Sequence, residues 1–222
     1  PRQERMDVII KNQPLGVQLA KRLRREILDG TRSAGDLLIE SALSAEFGLS
    51  RGPVRDAFRQ LTQEGLIEAQ GRSYRVSEFT RDDVRELYDL RFSLEKLAVE
   101  RALRSTPDWT QCRQAVELMH AAAEQGDAAA FALADLQFHR GFYEATPQRH
   151  VTNASRTIER TLEVLLELTP AVKNDMSSMT VEHREILDAI EANDPRWPEI
   201  LKTHLNYGAE KLDTLFTSRT SG

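Results

Sequence analysis

The chain has 222 residues, 40% of them hydrophobic and 29% charged, a composition that suits a folded protein with a sizeable core and excludes a disordered one. Its net charge of −5 argues against nucleic acid for the molecule as a whole, and the single cysteine, Cys112, excludes an internal disulfide and suits a reducing cytoplasm. No apolar run approaches the roughly 18 residues of a membrane span and no signal-peptide core stands at the N-terminus, so the expectation is a cytoplasmic protein with no membrane partner.

In chain order, Leu15, Leu19, Leu23 and Ile27 fall at helical spacing with Val17 and Ala20 beside them, and Gly30 stops that helix. The opposite face carries Lys21, Arg22, Arg24 and Arg25, which serve either as phosphate contacts or as solvated charge. A loop follows from Ser33 to Asp36. Leu43 and Phe47 then mark a short helix ending at Gly48. Ser50 stands where a cap belongs, and Pro53 falls in the next first turn, where its missing N–H costs nothing. Val54, Ala57, Phe58 and Leu61 form the apolar stripe of this helix, and Gly65 closes it. Leu66 and Ile67 lead into a short strand, Gln70 to Ser73 offers a turn, and Tyr74 to Ser77 alternates as a return strand. Helix, short helix, turn, helix and hairpin is the order of a winged helix-turn-helix.

Beyond Thr80 the period is helical throughout, with nothing that reads as a strand. Helices are predicted over roughly 81–104, 108–124, 128–146, 148–168, 178–193 and 195–217, started by Thr80, Asp127 and Asp194 and punctuated by Pro107, Pro147, Pro170 and Pro195. The expected fold is mainly α: a winged helix-turn-helix over 1–78 and an all-α bundle of about six helices over 79–222. Charge divides along the same line. Residues 1–78 carry 13 Lys and Arg against 11 Asp and Glu, a net of +2, whereas the rest carries 17 against 24, a net of −7. The acid that argued against DNA lies mostly in the second half.

Arg51, Arg55 and Arg59 recur every fourth residue and so share one helix face. Such a face is either solvated or laid against an acidic polymer. Arginine's planar fork bridges guanine O6 and N7, and the start of a recognition helix is where side chains reach base edges. Asp135 and His139 are also four apart, while His183 and His204 fall on two later helices. Residues of these types line metal sites where facing helices meet, or serve as hydrogen-bonded core and surface groups.

The run LSAEFGLSRGPVRDAFRQLTQEGLI, followed by a wing and a helical half, resembles the DNA-binding signature of the GntR family of transcription regulators. The helical half is similar to the FCD effector domain of the FadR subfamily, through Asp135 and His139 in DLQFH and through HREILDAIEANDPRWPEILKTHL from His183 to Leu205. With about six helices it sits near the shorter VanR-like branch. This resemblance implies a homodimeric repressor that reads a pseudo-palindromic double-stranded operator. Arg51 and Arg55 would read bases, while Ser50, Arg59 and the wing residues Gly71 and Arg72 complete the contact. Some relatives carry an arginine where this chain has Ser41, so major-groove contacts differ. The resemblance also assigns Asp135, His139, His183 and His204 to a divalent metal ion, zinc before nickel or manganese, with His120 and His150 left out. Arg91 is implied as the cation for a small organic-acid, sugar-acid or amino-acid effector, with Glu95 one turn on to orient it and Arg140 and Arg160 as further candidates. Two other readings stay open: a metal hydrolase with the N-terminal module as an appendage, and a helical dimerisation protein whose hairpin module binds protein. No nucleophile–base pair or pair of catalytic carboxylates stands out, so the expectation is no enzyme.

Overall fold

Leu19, Leu23 and Ile27 lose nearly all contact with solvent in the computed structural model, which describes residues 13–168 and 175–217. They lie on α1 (Leu15–Leu28), whose apolar stripe faces the core while Lys21, Arg22 and Arg25 stay exposed. A two-residue strand β1 (Leu37–Leu38) precedes α2 (Glu40–Phe47), and α3 (Arg51–Gln63) follows across a three-residue turn. Val54, Ala57, Phe58 and Leu61 of α3 are fully buried. Each large apolar side chain enclosed in this way contributes about 1.5–3 kcal/mol.

Strands β2 (Ile67–Gln70) and β3 (Ser73–Val76) pair antiparallel, Ile67 opposite Val76 and Gln70 opposite Ser73. The two residues between them are Gly71 and Arg72, and Gly71 takes φ +61°, the left-handed region a tight hairpin needs at its first turn position. On the other edge of β3, β1 adds a third strand, giving the order β1-β3-β2. The hairpin was legible in the sequence. β1 was not, because two residues are too few to display a period. Phe58 packs on Tyr74 with ring centroids 4.5 Å apart, tying α3 to the sheet.

The second compact unit starts at Thr80. Among the described residues six helices follow: α4 (Arg81–Ala102), α5 (Thr110–Gln125), α6 (Ala128–Glu144), α7 (Arg149–Leu168), α8 (Met176–Glu191) and α9 (Trp197–Thr217). Their bounds match the predicted ranges to within about two residues, apart from Pro170, which lies outside the described residues. The starts have the expected chemistry. Thr80 and Asp83 form a reciprocal capping box, and the Asp127 carboxylate accepts from the N–H groups of Ala129 and Ala130. Asp194 instead accepts from Arg196 N–H in a turn ahead of α9, so that helix begins two residues later than its proline suggests. The molecule is mainly α, and no described helix is long and apolar enough to cross a membrane.

Inside this unit α5 and α6 approach closely. A Cβ built on Gly141 of α6 would overlap Cys112 Sγ of α5, so only glycine lets the two backbones meet there. Cys112 is fully buried, and burial pushes its thiol up to about 12, the state of an inert core residue. Phe131, Phe138 and Phe142 of α6 fill the surrounding space. That packing fixes how α6 is turned and hence what its remaining face presents to α4, α8 and α9.

Candidate functional site

In the first unit the helix of interest begins at Arg51 itself. Ser50 occupies the cap position with extended backbone, but its side chain makes no capping hydrogen bond, contrary to the role its residue type suggests. Arg51, Arg55, Arg59 and Arg72 are all exposed, as are Ser41, Ser50 and Gly71. Arg55 Nε donates to both carboxylate oxygens of Glu40 at 3.0 Å, and Arg59 donates to Asp56 at 3.0 Å. The Glu40 contact was not foreseen. Glu40 lies fifteen residues back, and only the helix-turn-helix geometry brings it beside Arg55.

The basic cluster on α1 divides. Arg24 turns inward and donates two bonds of 2.7 Å to the carboxylate of Glu64, with both side chains buried. It is a structural ion pair and not a phosphate reader, because a helix residue one position from a solvated neighbour points about 100° away. Arg22 pairs with Glu26 at 2.6 Å while remaining mostly exposed.

In the second unit α6 presents Asp135 and His139 one turn apart, α8 contributes His183, and α9 contributes His204. All four are buried, and one ligand atom from each can be chosen so that the four lie within 4.8 Å of one another. Each imidazole is held from behind through Nδ1. His183 Nδ1 donates to the Met179 carbonyl at 2.6 Å, His139 Nδ1 faces Glu95 Oε2 at 2.9 Å, and His204 Nδ1 faces Glu182 Oε2 at 2.9 Å. With the proton on Nδ1, each Nε2 lone pair is free to bind a cation. Nε2 of both His139 and His183 lacks a hydrogen-bond partner although fully enclosed. His183 Nε2 also sits 3.0 Å from Asp135 Oδ1, two lone pairs face to face, an arrangement that calls for a positive charge between or beside them.

Electrostatics point the same way. Burial, then the Arg91 charge, holds His139 well below its ordinary pKa, and burial followed by His183 lowers His204, so both stay neutral. Burial opposes ionisation of Asp135, yet its close contact with His183 and the nearby Arg91 charge hold its carboxyl far below the usual range. Neutral imidazoles with an ionised carboxylate are the ligand forms a borderline divalent ion takes, zinc among them. The residues therefore fit a metal on donor chemistry, convergence and orphaned nitrogens alike.

Arg91 of α4 is buried beside this cluster. Its Nε donates to Glu95 Oε1 at 2.8 Å, and one terminal nitrogen, without a hydrogen-bond partner, lies 3.9 Å from Asp135 Oδ2. A narrow cavity of about 30 Å³ runs from Arg91, Asp135 and His204 to Tyr207 and Lys211, room for a water molecule or so. At its far end Asp175 Oδ2 accepts from the Tyr207 hydroxyl and from Lys211 Nζ.

Arg140 and Arg160 are not part of this cavity. They line an open groove between α6 and α7, where Arg140 donates to Glu159 at 2.9 and 3.1 Å. Arg140 follows His139 directly, so when the histidine faces inward the arginine faces out. His120 and His150 are exposed. Glu182 and Met179 were missed by sequence reasoning. Glu182 adjoins His183 but serves His204 on another helix, and no spacing rule reports that.

A family model described as the FCD domain matches residues 86–206, and one described as bacterial regulatory proteins, gntR family, matches residues 15–74. Among curated relatives, a protein named "Probable D-xylose utilization operon transcriptional repressor" from Paenarthrobacter nicotinovorans is 32% identical over 182 residues, covering 81% of this chain and 80% of its own length. The "Gluconate operon transcriptional repressor" of Bacillus subtilis (strain 168) is 27% identical over 213 residues, covering 92% of this chain and 87% of the relative. A crystal structure of a GntR regulator from Rhodococcus sp. RHA1 covers 89% of this chain and 96% of that one with a TM-score of 0.66 at 24% identity, a likeness of fold.

Proposed function

This chain belongs to the gntR family of bacterial regulatory proteins and carries the FCD domain, and on that premise we propose that it is a homodimeric, DNA-binding repressor released by a small carboxylate bound beside a divalent metal ion. Members of the family are transcription regulators, not enzymes. The six helices after the wing among the described residues support placing it in the shorter, VanR-like branch of the FadR subfamily.

In this reading the unit ending at Phe79 is the DNA reader and the unit starting at Thr80 is the effector and dimerisation domain. Arg51 and Arg55 enter the major groove from the N-terminal turns of α3 and read guanine edges. Ser50 and Arg59 touch phosphate, and the wing tip at Gly71 and Arg72 approaches the minor groove. Two copies give two reading heads, hence a pseudo-palindromic operator.

Asp135, His139, His183 and His204 would hold the metal, and the single observation that carries this reading is their convergence, buried, within 4.8 Å. When bound, a divalent ion, zinc before nickel or manganese, supplies a positive centre that favours carboxylate oxygen. Arg91 offers a second cation with an unused terminal nitrogen and would fix the orientation of the acid. By linkage, an acid that binds the DNA-incompetent arrangement more tightly lowers operator affinity by the same factor. The name of one relative, for a gluconate operon, makes sugar acids the first compounds to try.

The test is fluorescence anisotropy of the intact protein on the DNA upstream of its own operon, across a salt series and with gluconate added. Tight binding that is sequence-dependent, salt-sensitive and weakened by an acid is expected. Equal affinity for operator and random DNA at every salt concentration would refute the proposal.

A further inference from the structure

Glu95 touches both halves of the effector site. Its side chain is 1% exposed, and its two oxygens are divided: Oε1 accepts from Arg91 Nε at 2.8 Å, and Oε2 meets His139 Nδ1 at 2.9 Å. The three residues come from α4 and α6, so one carboxylate crosses the helix interface to join the cation of the cavity to a member of the histidine cluster. Beyond these partners, Arg91 keeps one terminal nitrogen without a hydrogen bond and His139 keeps Nε2 without one. Both unused atoms belong to the residues Glu95 grips.

We propose that Glu95 is a shared positioning residue: its carboxylate fixes the His139 tautomer that exposes Nε2 and, with the same group, fixes the orientation of Arg91. This rests on the metal and effector reading above and adds a residue and a mechanism to it. The reasoning is hydrogen-bond arithmetic. An ionised carboxylate is an acceptor on both oxygens, so it serves two donors at once. Its isostere glutamine has one acceptor oxygen and one donor nitrogen, so it serves only one of them. The guanidinium is charged and makes the stronger bond, so the amide oxygen turns to Arg91 and the amide nitrogen to His139. The His139 proton then moves from Nδ1 to Nε2, the atom that faces the cluster. A carboxylate behind a ligating histidine is worth about 10–100-fold in metal affinity.

The experiment uses full-length, chelator-stripped protein with ¹⁵N-labelled histidine. Long-range ¹H–¹⁵N spectra report the tautomer of His139, assigned with a His139→Asn variant. The wild type should show His139 as the Nδ1–H form and Glu95→Gln as the Nε2–H form, and zinc titration should show affinity reduced about 10–100-fold in the variant. Retention of the Nδ1–H form in Glu95→Gln would overturn the proposal, whatever its zinc affinity. Should the variant fail to fold, the wild-type spectrum decides, since an Nε2–H form there overturns the proposal and an Nδ1–H form supports it. A wild type that binds no zinc would count against the metal reading, while the tautomer still judges Glu95.

Discussion

Asp135 Oδ1 lies 3.0 Å from Nε2 of His183, whose other nitrogen, Nδ1, donates its hydrogen bond to the Met179 carbonyl. An ionised carboxylate oxygen and an imidazole lone pair at that distance repel unless a cation satisfies both. Replacing His183 with Ala should therefore lower the bound metal measured by elemental analysis from about one ion per chain to well below it. Stripping the wild type with a chelator should also lower its melting temperature, because a ligand held at 100 times its Kd stabilises the folded state by about 2.7 kcal/mol. Metal content unchanged by the substitution would contradict the ligand set.

Arg55 presents a different balance, being mostly exposed yet paired with Glu40. An exposed pair of this kind contributes at most about 1 kcal/mol, so the guanidinium is available to DNA at small cost. Arg55→Ala should weaken binding to the specific site by roughly 1–3 kcal/mol and relax base preference at one position of each half-site. Anisotropy on operator and scrambled DNA checks it. An equal loss on both would make Arg55 a phosphate contact only.

Arg24 and Glu64 predict the opposite behaviour. Both side chains are buried and joined by two bonds of 2.7 Å. Arg24→Met removes the guanidinium from a buried carboxylate, at a cost of up to about 3–5 kcal/mol, whereas a double replacement of both partners by apolar residues should recover most of it. Chemical denaturation with the m-value compared across the three proteins is the measurement.

Gly141→Ala should destabilise the second unit by about 1–3 kcal/mol, since the new methyl overlaps the Cys112 thiol between α5 and α6. Combining it with Cys112→Ala should restore part of the loss. Thermal melts suffice, and additivity of the two changes would mean that the contact is not the cause.

Much of this architecture was legible in the sequence because it is local. The stripe Val54, Ala57, Phe58 and Leu61, the capping box at Thr80, the Asp127 cap and the glycine of the wing turn each depend on neighbours within four residues, and all stand where periodicity and turn chemistry put them. The candidate ligands were named by resemblance, not by spacing, because His183 and His204 come from separate helices whose approach no periodicity encodes. The same limit hid Glu182 behind His204, Glu40 beside Arg55 and the short β1 strand. It also let Arg140 and Arg160 stand as cavity residues beside Arg91, although the rotation of α6 and α7 turns them into an outer groove.

By itself the sequence determined the elements, their order and the division of charge between the two halves, since helix period, caps and turns act over a few bonds. Only the tertiary structure decided which polar groups lose water together. Arg24 became a buried ion pair while Arg22, two residues away, stayed in solvent. Asp135 and the three histidines became one site, and Glu95 became the residue between that site and Arg91. These outcomes depend on how far each helix is rotated about its axis, and that rotation is set by packing of the whole core, down to the missing side chain of Gly141.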